Sequence, residues 1–414
     1  METQRGLIIS LGGMGMPLGI SKKAAGIAPS ATLALNAKVI AMKAAGENVV
    51  GFASGEPDFD TPVTIRDAAK WALDNGKTRY TAASGMAELR NAIKDKLKRE
   101  NGLDYDASQI VVSNGAKHAI FNSFFALLDD GDEVIIPTPC WVSYPEMVKM
   151  CGGVPVFAKT TEEDNFILKP AAIEAVITDK TKAFMLTSPS NPNGCCWELE
   201  DLQALADLAV KHDFYIISDE IYEHLLYNGE KNISVASLGD KVKERTIVIN
   251  GVSKTYAMTG FRIGYAAGPK DVMKAIAACQ SQATSAPNTP AQYAAVTALT
   301  MSQESVDAMC QVFKERRDAL VFGLNAIDGI SCLKPDGAFY VMMNVKKLIG
   351  KKKDGQVIDS CSTFADKLLE YEKVAVVPGA EFYAPGFCRL TYALSKENIL
   401  EGVRRIRAFA ESLS

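Results

Sequence analysis

Short apolar runs that alternate with stretches of helical spacing, from about residue 60 to about residue 270, constrain this chain more than any other feature. Gln109–Ser113, Glu133–Pro137, Ala183–Thr187, Phe214–Ser218, Thr246–Asn250 and Phe261–Gly268 read as strands. Thr64–Leu73, Met86–Arg99, Lys117–Leu128 and Glu200–Val210 place apolar residues at helical intervals. Asn101-Gly102 and Asp129-Asp130-Gly131 stop two of these helices. Strands buried on both faces are apolar throughout, so the alternation predicts an α/β fold, a mostly parallel sheet covered by helices.

The rhythm changes after a helical stretch at about 270–326. From about 330 the chain offers a strand at Gly337–Met343, a charged loop at Lys346–Asp354, a helix, short apolar runs at Val374–Val377 and Arg389–Ala393, and a last helix ending at Leu413. The 414 residues fit two to three domains. We divide them into a flexible, Gly/Met-rich arm at 1–28, a segment at 29–60 that joins the small domain, a large domain at 61–326 and a smaller α+β domain at 327–414.

Composition removes several function classes. Lys and Arg number 45 against 49 Asp and Glu, a net charge of −4, which leaves no cationic excess for a phosphate backbone. The three histidines, His118, His212 and His224, are not at metal-ligand spacing, and no metal is expected. Nine cysteines, odd in number and without a C-x-x-C, fit a reducing compartment. No apolar run reaches the roughly 18–20 residues that span a bilayer. Gly6–Ile20 is broken by glycines and a proline and lacks a basic start, so a cytoplasmic location is expected, with organelle import left open.

In parallel α/β sheets, ligands bind beyond the carboxyl ends of the strands. The unusual polar residues cluster there: Asn114-Gly115-Ala116-Lys117, Trp141, Asn191-Pro192-Asn193-Gly194, Asp219-Glu220-Ile221-Tyr222 and Ser253-Lys254. Each alone has an ordinary explanation as an N-cap, a turn, a core aromatic or a solvated lysine. Together they form a chemical inventory. A strand-end lysine can make a Schiff base with an aldehyde cofactor, and a carboxylate can keep a pyridine nitrogen protonated. An amide and a phenol can hold a ring oxygen, an aromatic can stack, and glycines at a helix start admit a phosphate. This is the equipment of a pyridoxal 5′-phosphate site.

The segment Gly251-Val252-Ser253-Lys254-Thr255-Tyr256-Ala257-Met258-Thr259-Gly260-Phe261-Arg262-Ile263-Gly264 resembles the lysine signature of class-I pyridoxal-phosphate-dependent aminotransferases. Pro29-Ser30-Ala31-Thr32, Gly55-Glu56-Pro57-Asp58-Phe59, Trp141-Val142-Ser143-Tyr144-Pro145, Ser218-Asp219-Glu220-Ile221-Tyr222 and Val377-Pro378-Gly379 extend the resemblance over nearly everything from about residue 22 onward. It is strongest to the bacterial-type and plant plastid-type aspartate aminotransferases, the branch that also contains prephenate aminotransferases. It implies the fold-type-I architecture of pyridoxal-phosphate transferases.

The resemblance also implies roles. Lys254 would carry the cofactor as a Schiff base and then shuttle the proton. Asp219 would pair with the pyridine nitrogen, Tyr222 and Asn191 would bind the 3-oxygen, and Trp141 would stack on the ring. Gly115, Ala116, Lys117, Ser253 and Arg262 would hold the phosphate, with Tyr80 reaching the phosphate of the other subunit of a homodimer. Arg389 would take the substrate α-carboxylate, with Gly55, Trp141 and Asn191 also touching substrate. Lys117, aided by Thr32, would receive the second carboxylate of an acidic substrate.

The expected reaction is therefore ping-pong transfer of the amino group between L-aspartate and 2-oxoglutarate, giving oxaloacetate and L-glutamate. Prephenate and aromatic amino acids are the alternative substrates, although Ala28 stands where many prephenate-active relatives carry a lysine. An elimination enzyme of the same fold and a non-catalytic binding protein are weaker readings, the latter because Lys254, Asp219, Arg262 and Arg389 are all present.

Overall fold

The computed structural model describes residues 19–229 and 231–414, so most of the arm expected at 1–28 lies outside the described residues. Seven strands form the main sheet: β1 (Ile110–Ser113), β2 (Glu133–Thr138), β3 (Val154–Lys159), β4 (Thr181–Thr187), β5 (Tyr215–Asp219), β6 (Thr246–Gly251) and β7 (Gly264–Ala267). Their order across the sheet is β1-β7-β6-β5-β4-β2-β3. Only β7 runs against the rest, being antiparallel to both β1 and β6.

Successive side chains of a strand point to opposite faces, and the core follows that rule. Ile136, Met185 and Ile217 pack with Ile120 and Phe124 of helix α1 (Ala116–Leu127) and with Met273 and Ile276 of helix α2 (Lys270–Ala283). Their neighbours Ile135, Phe184 and Ile216 face the other way, onto Leu202, Leu205 and Ala209 of helix Leu199–His212.

A smaller antiparallel sheet joins β8 (Tyr340–Asn344), β9 (Val377–Pro378) and β10 (Phe387–Thr391) in the order β9-β10-β8. The early segment is sewn into it. Val50–Gly51 pairs in parallel with Val374–Ala375, and the carbonyl of Phe52 accepts from Thr391 N–H at 3.0 Å. Phe52 is fully buried against Gly402 of the last helix (Lys396–Glu411), where a Cβ would come within 2.3 Å of its ring.

Three details depart from the expectations. Strand β3 went unrecognised: it is an edge strand, half-exposed along most of its length, and contains Pro155, which an edge tolerates. The helical stretch at 270–326 is three helices, Lys270–Ala283, Thr289–Thr300 and Glu304–Asn325, with Asn288 capping the second through its side chain. The strand expected from Phe261 begins only at Gly264, because Arg262 takes a left-handed conformation with φ 56°.

Candidate active site

The registers bring the predicted residues to one edge. Thr187 at the end of β4 is opposite Asp219 at the end of β5. Gly264, the first residue of β7, faces both Ser113 at the end of β1 and Gly251 at the end of β6. The polar residues that follow these strand ends converge on a cavity of about 360 Å³. Strand β4 leads to Asn191, β5 to Asp219 and Tyr222, β6 to Ser253 and Lys254, and β2 to Trp141; all line this cavity. Ala116 and Lys117 enter from α1, and Arg262 from the turn before β7. Thr32, Gly55 and Arg389 close it from the side of the smaller sheet.

Asp219 is 4% exposed, with Oδ2 accepting the Tyr144 hydroxyl at 2.7 Å and Oδ1 the N–H of Ile221 at 3.2 Å. Burial pushes its carboxyl up to about 6 against the pull of these donors and of Lys254. The Lys254 amine donates to the carbonyl of Gly55. Burial, helped by the Arg262 and Arg389 charges and opposed by Glu56 and Asp219, lowers it to about 8. An amine so depressed is available as a nucleophile near neutral pH.

A cradle lies at the start of α1. Gly115 holds φ 85°, and a Cβ there would fall 2.3 Å from the Arg262 guanidinium. A Cβ on Gly264 would fall 2.2 Å from the Ala116 nitrogen, so both glycines are required for this close approach. The first N–H groups of a helix lack intrahelical acceptors and favour an anion. Arg262, anchored on the carbonyls of Thr259 at 2.8 Å and Asn114 at 3.4 Å, adds its charge beside them.

Arg389 on β10 is 2% exposed. It donates to Asn191 Oδ1 at 3.1 Å and to the Ala53 carbonyl at 3.0 Å, and its Nε has no partner. Lys117 Nζ stands 4.7 Å from the centre of the Trp141 ring. Burial, with the Arg262 charge, lowers its pKa.

Two expected residues do not line the cavity. Gly115 lies behind it as the N-cap of α1, and Tyr80 is 91% exposed on the surface. Tyr144, Glu56, Thr259 and Tyr340 line the cavity without having been assigned a role from the sequence. Tyr144 and Glu56 stood inside quoted motifs, whereas Tyr340 sat unmarked in an apolar strand.

The cavity suits pyridoxal phosphate on its own chemistry. It offers an amine, a buried acid, a phosphate cradle that a Cβ at Gly115 would fill, and an orphaned guanidinium nitrogen suited to a carboxylate.

Residues 47–406 match the family model of class I and II aminotransferases. An aspartate aminotransferase from Bacillus subtilis is 46% identical over 400 residues, covering 95% of this chain and all of that protein. An aspartate/prephenate aminotransferase from Thermus thermophilus is 45% identical over 390 residues, covering 94% of this chain and 97% of that one. The crystal structure of the aspartate aminotransferase from Rhizobium meliloti superposes with a TM-score of 0.93 at 42% identity, over 96% of this chain and all of that one. The convergence of strand-end chemistry, fold and full-length similarity means that this chain belongs to the class I and II aminotransferases, enzymes that depend on pyridoxal 5′-phosphate.

Proposed function

We propose that this enzyme exchanges amino groups between L-aspartate and 2-oxoglutarate, working as a homodimer in the cytoplasm. One observation carries the acidic substrate. Lys117 has no ion-pair partner among the described residues and lies in the same cavity as the second cation, Arg389, and the hydroxyl of Thr32. Two separated cations suit the two carboxylates of aspartate or glutamate. The relatives named aspartate aminotransferase support the same reading.

When bound, pyridoxal phosphate supplies an aldehyde that condenses with amines and a ring that takes up electrons from the bond to the departing proton. Lys254 Nζ would hold the cofactor and, once displaced by the incoming amino acid, take the proton from its Cα. Asp219, oriented by Tyr144, would hold the proton on the ring nitrogen. Asn191 and Tyr222 would bind the ring 3-oxygen, and Trp141 would cover one face. The main-chain N–H groups of Gly115, Ala116 and Lys117, with the side chains of Ser253 and Arg262, would seat the phosphate, leaving the Lys117 ammonium for the substrate. Arg389, with Gly55, would fix the α-carboxylate and so orient the substrate toward Lys254.

Gly55 and Arg389 come from the smaller sheet and the segment sewn into it, so substrate contacts would draw the two parts together. Tyr80, with its exposed ring, would serve the phosphate of the neighbouring subunit. All nine cysteines are free thiols, and no helix among the described residues is long and apolar enough to cross a membrane; the thiols support a reducing compartment.

Prephenate is the second reading, favoured by the relatives named aspartate/prephenate aminotransferase. Ala28, whose N–H donates to Glu146 at 3.1 Å, offers no cation for it. The purified protein should be yellow, and borohydride should fix the cofactor on Lys254. Turnover with aspartate, glutamate, prephenate and phenylalanine then tests the substrate. Preference for phenylalanine over aspartate would overturn the assignment.

A further inference from the structure

We infer that Tyr340 is a positioning residue that joins the two ends of the active site, its ring bracing the Arg389 guanidinium and its hydroxyl supporting the Tyr222 phenol. The inference rests on the roles proposed above for Arg389 and Tyr222.

Tyr340 is fully buried on β8, yet it lines the cavity. The β8–β10 register sets Tyr340 opposite Thr391 and Met342 opposite Arg389. The guanidinium carbon of Arg389 lies 4.5 Å from the centre of the Tyr340 ring and 4.8 Å from that of Phe382. Its hydrogen bonds go to an amide oxygen and a main-chain carbonyl, with no carboxylate among them. A buried cation without a counter-charge is costly, and two aromatic faces are the available partial compensation. The Arg389 Nε has no hydrogen-bond partner. The fork is thus held in place before a carboxylate arrives.

The hydroxyl of the same residue lies 3.1 Å from the Tyr222 hydroxyl. Burial holds Tyr222 well above the usual phenol range and raises Tyr340 as well, so both keep their protons. Each phenol has one proton to donate. When Tyr222 donates to an anionic ring oxygen, it must accept from Tyr340, and this order polarises the chain and strengthens the terminal bond. The ring therefore serves substrate grip, and the hydroxyl serves the proton equilibrium of the bound cofactor.

The test uses the holoenzyme and three substitutions, Tyr222→Phe, Tyr340→Phe and Tyr340→Leu. The pH midpoint of the cofactor's visible absorbance and the Kd of succinate are both measured. Tyr340→Phe is expected to raise the midpoint by about 0.1–0.6 of a pH unit, in the same direction as Tyr222→Phe but by less. Tyr340→Leu is expected to weaken succinate by about tenfold, well beyond the effect of Tyr340→Phe. A shift with Tyr222→Phe but none with Tyr340→Phe overturns the hydroxyl relay and leaves the Tyr222 assignment standing. No shift with either overturns both. Equal succinate affinities in the two Tyr340 variants overturn the bracing role of the ring. Should the leucine variant fail to fold, the phenylalanine variant still decides the relay.

Discussion

The amine of Lys254 is hydrogen-bonded to the carbonyl of Gly55, a residue 199 positions earlier in the chain. Gly55 follows the strand that pairs with Val374–Ala375, so the reactive lysine is strapped to the part of the molecule that also carries Arg389. With its pKa lowered to about 8, the amine loses its proton far below the ordinary lysine range. Only the neutral amine attacks an aldehyde. The rate of cofactor uptake by the apoprotein, followed by absorbance, should rise with pH and level off just above pH 8. A continued rise to pH 10 would show an unperturbed lysine.

Replacing that amine should separate binding from chemistry. Lys254→Ala is expected to lower transamination by at least about 10⁴-fold, since both the attachment point and the proton carrier are removed. Pyridoxal phosphate should still bind through the Arg262 cradle, and equilibrium dialysis would detect it. Near-normal turnover in this variant is incompatible with the proposed mechanism.

Lys117 distinguishes a substrate cation from a phosphate ligand. Lys117→Ala should raise the KM for aspartate about ten- to a hundredfold, the loss of one charge-assisted contact, with a much smaller change for an uncharged amino acid. Parallel increases for both substrates would assign the lysine to the phosphate.

Asp219 makes stability depend on pH in an unusual direction. Its folded pKa, about 6, lies above the ordinary 3.8, so between these values the folded protein binds more protons than the unfolded chain. This group's contribution to stability is therefore present at low pH and lost as pH rises through about 6. Relative to Asp219→Asn, the wild-type apoprotein should lose on the order of 3 kcal/mol between pH 4 and pH 7.5. Urea unfolding of both proteins at the two pH values measures this, and a constant difference would contradict it.

Behind the turn after Asp219, the Lys96 ammonium pairs with Glu223, which also accepts from Asn101 at 2.8 Å and Asn250 at 2.6 Å. Lys96 and Glu223 are both buried. Lys96→Met should destabilise the protein by about 3–5 kcal/mol by leaving the buried Glu223 carboxylate without its ammonium partner, and adding Glu223→Met should recover part of the loss. Thermal unfolding of the single and double variants would expose an additive result, which would deny the coupling.

The sheet and its ligand edge were legible because strand ends announce themselves: an apolar run followed by Asp219, Asn191 or Lys254 breaks the pattern abruptly. Tyr340 was not legible, because a tyrosine in an apolar strand looks like core, and only its pairing with Thr391, two residues along β10 from Arg389, brings its ring against that guanidinium. The left-handed turn at Arg262 was hidden for a related reason: it accompanies a side chain that reaches the carbonyl of Asn114, 148 residues away. Long-range hydrogen bonds of that kind leave no local periodicity.

The pairing of Val50 with Val374 has a consequence for biosynthesis. The ribosome must deliver about nine-tenths of the 414-residue polypeptide before Val50–Gly51 meets its partner, so Phe52 and its neighbours emerge as an adhesive stretch with no shelter. Nascent chains stalled before residue 374 should therefore attract chaperones through this stretch, and releasing the last helix should be the event that ends the exposure.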